Sequence, residues 1–275
     1  MSGLARDNVA GAKRVVVKVG SSSISGENSD QITPLVDALA EAYGRGTEVV
    51  LISSGAVATG MPFLNLEERP SDVATQQAAA AVGQNVLIFR YQESLDRYGI
   101  AAGTVLLTEG DALKEPHRSN TRRALERLLD LRILPVVNEN DTVAVYGLRF
   151  GSNDRLAALV ATLIHADLLI MLSDVDALYT KPPHLPGAEK LDFIAADDPL
   201  DGFEFSSSGA TGVGTGGAST KVVAARLATK AGTAVLVTST ELAAAALRGD
   251  NVGRPAPPFW SPQPNWPLPL FAAIM

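Results

Sequence analysis

The sequence predicts an α/β protein, a three-layer αβα sandwich built on a central, mainly parallel sheet. Three observations lead there. Short β-rich apolar runs alternate with longer stretches whose apolar residues recur at helical spacing. The runs RVVVKV, EVVLI, ILPVV and LLIML are nearly continuous in apolar character, which marks strands covered on both faces. Each run also ends in a polar or glycine-bearing cluster, at the strand ends where α/β sheets collect their ligands.

In chain order, Arg14 to Val19 reads as a first buried strand ended by Gly20, and Ile32 to Gly44 as an amphipathic helix. Glu48 to Ile52 is a second strand, followed by SSGA. Residues 74 to 98, rich in Ala and Gln, read as one long helix around Gly83. Gly103 to Leu107 is a strand, Thr121 to Leu131 a helix, and Ile133 to Val137 a strand followed by NEND. Arg155 to His165 is a helix, Leu168 to Leu172 a strand followed by SD, and Val235 to Thr238 a last strand. From Arg254 to Met275 the chain carries seven prolines and both tryptophans, and fits neither a helix nor a regular strand.

Composition narrows the function classes. The chain has 275 residues, 46% hydrophobic, enough for a large core. Its net charge of −7 gives no general signature of nucleic-acid binding. Cysteine is absent, which excludes disulfides and thiolate metal sites. No apolar run reaches the ~18 residues of a membrane helix, and the first residues lack a signal-peptide core. A cytoplasmic protein is expected, with no membrane or nucleic-acid partner.

The chemistry concentrates in a few clusters. Gly212 to Lys221 (GVGTGGASTK) is poor in side chains and opens a helix. Free backbone N–H groups and the helix dipole there suit a phosphate, and Lys221 adds a full charge; a plain surface loop also fits. Lys18 lies inside an apolar strand two residues before Gly20, where an amine needs an anion unless the strand is at an edge. Asn138, Glu139, Asn140 and Asp141 end the strand ILPVV and could hold an amino or hydroxyl group, or form an Asx-type turn. Asn153 or Asp154 could act at a site or simply cap the helix that follows. Ser173 and Asp174 equally fit a turn. The three histidines have no ligand spacing, and no Walker loop or early GxGxxG occurs.

Taken together, VVVKVGSSS, SSGAVATG, QQAAAAVGQ, PVVNENDTVA, FGSNDRLAALVA, LSDVDALYT and GVGTGGASTKVVAA resemble the amino acid kinase family over roughly residues 14 to 240. The resemblance is closest to the branch that phosphorylates the γ-carboxylate of L-glutamate, the first step of proline biosynthesis. It implies ATP and Mg²⁺ as cofactors, L-glutamate as substrate, a homo-oligomer (dimer or tetramer) and proline as feedback inhibitor. Matched motif by motif, Lys18, Asp154 and Lys221 are the implied catalytic residues, with Asp154 holding the two lysines in register. Lys18, Gly20, Gly55, Ser173, Asp174, Thr215, Gly216, Gly217, Ala218, Ser219, Thr220 and Lys221 are implied at the nucleotide. Ser54, Asn138, Asp141 and Asn153 are implied at the substrate, and no protein metal ligand is implied. Residues 1–250 would form the kinase domain, with a glutamate-binding N-terminal and an ATP-binding C-terminal part. Residues 251–275 would be a Pro/Trp-rich tail, without the PUA domain that many members carry. One departure stands out: Ser152 in GSND occupies a position where members commonly carry Asp. Kinases of N-acetylglutamate or aspartate are the alternatives within the family, and a non-catalytic amino-acid sensor the alternative outside that chemistry.

Overall fold

In the computed structural model, residues 9, 11–144, 152–192, 194–195, 198, 200, 217–250 and the backbone of 259–260 are described. Six parallel strands, β1 (Arg14–Val19), β2 (Glu48–Ile52), β3 (Ala102–Leu107), β4 (Leu134–Glu139), β5 (Leu168–Ser173) and β6 (Ala234–Ser239), lie in the order β3-β4-β2-β1-β5-β6. A two-residue strand, β7 (Phe259–Trp260), pairs antiparallel with β6 at the edge. The Pro-rich tail therefore does contribute a strand, two residues long between prolines; Thr215, Gly216 and most of the tail lie outside the described residues.

The helices are α1 (Ile32–Gly44), α2 (Ala56–Gly60), α3 (Val73–Asp96), α4 (Glu109–Leu113), α5 (His117–Asp130), α6 (Asn153–Leu163), α7 (Ala218–Lys230) and α8 (Ala243–Arg248). Alternate strand residues point to opposite sheet faces. Val15, Val17 and Val19 of β1 join a core with Leu35 and Leu39 of α1, Leu87 and Tyr91 of α3 and Ala246 of α8. Val16 faces the other way, into a second core with Leu125 of α5, Leu156 and Val160 of α6 and Ala225 of α7. Both faces are covered, as continuous apolar strands require.

The expected boundaries hold within a few residues, and the shifts have local causes. Helix α5 starts at His117, four residues before Thr121, with Pro116 as its N-cap residue. Strand β4 runs on through Asn138 and Glu139, because β3 pairs with both. The short helices α2, α4 and α8 were too brief for periodicity to reveal.

Two glycines fix how α2 meets α3. A Cβ on Gly83 would sit 1.8 Å from the Ala56 carbonyl oxygen, and one on Gly60 would sit 1.9 Å from that of Ala79. Backbone thus touches backbone, and this contact seats the end of β2 and the start of α2 against the middle of α3.

Candidate active site

The first strand lies between β2 and β5, so successive crossovers leave it in opposite directions and open a crevice beyond its carboxyl end. Lys18 stands there, in a central strand and 5% exposed, which removes the edge-strand reading. As an even-numbered neighbour of Val16 it faces α6 and α7. The first turn of α6 supplies Asp154, and the first turn of α7 supplies Thr220 and Lys221.

These groups meet around one carboxylate. Lys18 Nζ lies 2.8 Å from Asp154 Oδ1, and Lys221 Nζ lies 3.7 Å from Oδ2. Thr220 Oγ1 donates to the same Oδ2 at 2.7 Å. Asp154 is fully buried and Lys221 is 6% exposed. Burial alone would raise the Asp154 pKa; the charges of Lys18 and Lys221 outweigh it and bring the carboxyl from 3.8 down to about 2. For Lys221, burial pushes the ammonium pKa down, and Asp154 only partly opposes it. Two buried ammonium groups share one buried carboxylate, leaving one net positive charge among the three side chains. Asp154 does not cap its helix: Ser152 is the N-cap residue, and Asp154 lies in the first turn, where the helix dipole favours a negative charge.

Nucleotide-side candidates surround this centre. Gly217 is the N-cap of α7, followed by Ala218, Ser219 and Thr220 in the first turn; its carbonyl accepts from Lys221 N at 3.4 Å and lies 2.9 Å from Thr220 Oγ1, competing with Asp154 for that hydroxyl's single hydrogen. Ser173 Oγ donates to Asp174 Oδ1 at 3.0 Å at the end of β5, and Asp174 adds to the negative field at Lys221. Gly55 has φ +89°, a backbone that side-chain-bearing residues adopt at a cost. Gly20 is ordinary extended backbone, φ −74°, with no atom closer than 3.8 Å to an added Cβ. No conformational need for glycine exists at that position.

A chain of amides links the remaining candidates. Asn153 Nδ2, with two hydrogens to donate, lies within hydrogen-bond distance of three acceptors: Ser53 O at 2.9 Å, Ser54 Oγ at 2.9 Å and Asn138 Oδ1 at 3.0 Å. Glu139 N donates to the same Asn138 oxygen at 2.9 Å, and Asn138 Nδ2 donates to Gln84 Oε1 at 2.9 Å. Behind it, Tyr91 Oη and Ser53 Oγ share a buried hydrogen bond of 3.1 Å. Asp141 lies farther out, on the wall of a cavity of about 350 Å³ whose other walls include Ala56, Gln84, Asn85, Glu139 and Thr142. The structure therefore gathers Ser54, Asn138 and Asn153 into one cluster and sets Asp141 on an adjoining cavity. Gln84 ends the stretch QQAAAAVGQ but was given no role of its own in the sequence; its local signal was a polar pair, Gln84–Asn85, directly after Gly83 in an Ala-rich helix.

Known proteins are similar to this chain in sequence or in fold. Glutamate 5-kinase from Clavibacter sepedonicus is 68% identical over 92% of this chain and 97% of its own length. Glutamate 5-kinase from Leifsonia xyli is also 68% identical, over 90% of this chain and 92% of its own. Among solved structures, carbamate kinase from Giardia lamblia bound to AMP-PNP superposes with a TM-score of 0.64, at 16% identity, covering 92% of this chain and 99% of that one, a likeness of fold alone. The profile of the amino acid kinase family matches residues 13–239, which contain the crevice, the lysine–aspartate–lysine centre and the amide chain, and this chain belongs to that family.

Proposed function

We propose that this chain transfers the γ-phosphoryl group of ATP to the γ-carboxylate of L-glutamate, giving γ-glutamyl phosphate and ADP. Supporting this reading are relatives named glutamate 5-kinase at 68% identity over nearly the whole chain. The observation that carries it chemically is the buried pair of ammonium groups held by Asp154 at the strand ends.

A carboxylate oxygen attacks the γ-phosphorus, and the bond from that phosphorus to the β,γ-bridging oxygen breaks. The acceptor is already an anion, so no general base is required. The protein's task is alignment and charge screening as negative charge spreads over the equatorial oxygens. Lys18 and Lys221 supply that charge, and Asp154 fixes the distance between them. Mg²⁺ suits this site as a companion of the nucleotide phosphates and adds further screening when bound; Asp154 is committed to the two lysines and is not its ligand. Ser54, Asn138, Asn153 and Asp141 belong to the amino-acid side, and the α7 N-terminus with Ser173 and Asp174 to the nucleotide side.

The same proposal includes a dimer or tetramer, feedback by proline and a cytoplasmic location, all resting on family resemblance. Among the described residues no helix is long and apolar enough to cross a membrane. Sedimentation velocity with and without proline tests assembly. The activity is tested by ATP-dependent hydroxamate formation with glutamate, N-acetylglutamate and aspartate as acceptors. Glutamate is expected to lead by a wide margin, and a preference for the acetylated acceptor would overturn the assignment.

A further inference from the structure

Helix α3 carries a tyrosine at a position where packing alone asks for a phenylalanine. Tyr91 shares a helix face with Leu87 and Leu95, and all three are buried in the core against β1 and α1. The Tyr91 side chain is fully buried, and burial pushes the pKa of its hydroxyl up, so the proton stays in place. A buried hydroxyl costs free energy unless it is hydrogen-bonded. Its partner here is Ser53 Oγ, 3.1 Å away and also buried, at the carboxyl end of β2.

The hydrogens of this pair can be assigned. Ser53 Oγ lies within reach of two acceptors, Tyr91 Oη at 3.1 Å and Ser54 O at 3.3 Å. Among the described residues, the Tyr91 proton has the Ser53 oxygen alone to go to. Both protons are used only if Tyr91 donates to Ser53 and Ser53 donates to Ser54 O. The reverse order strands a buried donor. A relay therefore runs from the core side of α3 to the Ser54 carbonyl. That carbonyl belongs to the peptide joining Ser54 to Gly55, the residue at φ +89°. A trans peptide points its N–H opposite to its C=O, so the relay sets the orientation of the whole Ser54–Gly55 peptide. The same turn is held from its other side, where Ser53 O and Ser54 Oγ each lie 2.9 Å from Asn153 Nδ2.

Resting on the glutamate reading above, we propose that Tyr91 is a positioning residue for that reaction. Acting through Ser53, its hydroxyl holds the Ser54–Gly55 turn and, with it, the geometry that Ser54 and Asn153 present to the amino acid. Tyr91 itself touches no substrate. It works from a helix whose seat is fixed by the Gly60–Gly83 backbone contact.

A double-mutant cycle on Tyr91→Phe and Ser53→Ala tests this, with KM measured separately for glutamate and ATP. Tyr91→Phe keeps the ring in the core and removes only the hydroxyl. A loss of folded enzyme lowers the maximal rate without moving KM, so KM separates positioning from stability. Loss of one neutral hydrogen bond corresponds to about a 3- to 10-fold change. Tyr91→Phe is expected to raise KM for glutamate by that factor, with KM for ATP changed far less. Ser53→Ala should do the same. The double variant should be no worse than Ser53→Ala alone, because the relay is already cut. An unchanged KM for glutamate in Tyr91→Phe, even with a lowered melting temperature, leaves the hydroxyl a purely structural role and overturns the proposal. A double variant whose losses multiply overturns it as well, while the wild-type reaction stands. Absence of glutamate turnover in the wild type would instead overturn the underlying reading, and this proposal with it.

Discussion

Replacing Asp154 by Asn removes one charge and almost no volume. Asparagine can still accept from Thr220, so no cavity forms and that hydrogen bond survives. What is lost is the anion between Lys18, at 2.8 Å, and Lys221, at 3.7 Å. Breaking a buried pair costs about 3–5 kcal/mol if the stranded charges persist. The protein has an escape: one lysine gives up its proton. From an ordinary lysine value of 10.5 this costs roughly 3 kcal/mol at pH 8, at about 1.4 kcal/mol per pH unit. The cheaper route sets the loss, so Asp154→Asn should be destabilised by about 3 kcal/mol at pH 8. A folded state that binds fewer protons than the unfolded one gains stability as pH rises, so the deficit should shrink toward pH 9 and grow toward pH 7. Turnover should fall about 100-fold, because the site has lost an ammonium charge. Urea unfolding of both proteins at pH 7, 8 and 9, with hydroxamate rates at each pH, measures all three effects. A deficit under 1 kcal/mol that does not vary with pH, together with retained turnover, would refute the reasoning.

Acid should act on the same carboxylate. Asp154 is depressed from 3.8 to about 2, so its stabilisation is present above pH 4 and is lost as pH falls through about 2; the term is on the order of 2 kcal/mol. Acid unfolding should show that loss between pH 4 and 2 in the wild type, and Asp154→Asn should lack it. Gly83→Ala would gain about 1 kcal/mol of helix propensity, but its Cβ falls 1.8 Å from the Ala56 carbonyl oxygen. The clash should win by 2 kcal/mol or more, lowering the melting temperature; an unchanged melting temperature would contradict the backbone contact. Gly55→Ala places a side chain at φ +89° and should cost about 1–2 kcal/mol, whereas Gly20→Ala, at φ −74° with open space, should be nearly neutral to stability by the same measurement.

The sheet was legible because its strands are buried on both faces, and burial wrote itself as runs such as RVVVKV and LLIML. The clusters at the strand ends were legible because lysine or several amides beside such a run are costly without a partner. Asp154 was identifiable as an acid near a helix start, but periodicity gave no view of which charges it met; that followed from α6 and α7 sharing the face of β1 that carries Lys18. The place of Gln84 in the amide chain stayed hidden because it depends on the Gly60–Gly83 backbone contact, which pairs residues far apart in sequence. The extension of β4 into NEND was likewise invisible, since pairing with β3, not residue type, holds Asn138 and Glu139 extended.

The most direct measurement is the steady-state turnover of Lys221→Met, which keeps the apolar stem of the side chain and removes its charged end. If two lysines sharing Asp154 screen the transferring phosphoryl group, kcat should fall about 100-fold or more, equivalent to roughly 3 kcal/mol of transition-state stabilisation, while KM for glutamate changes far less. A variant that turns over glutamate at close to the wild-type rate would contradict the account at its centre.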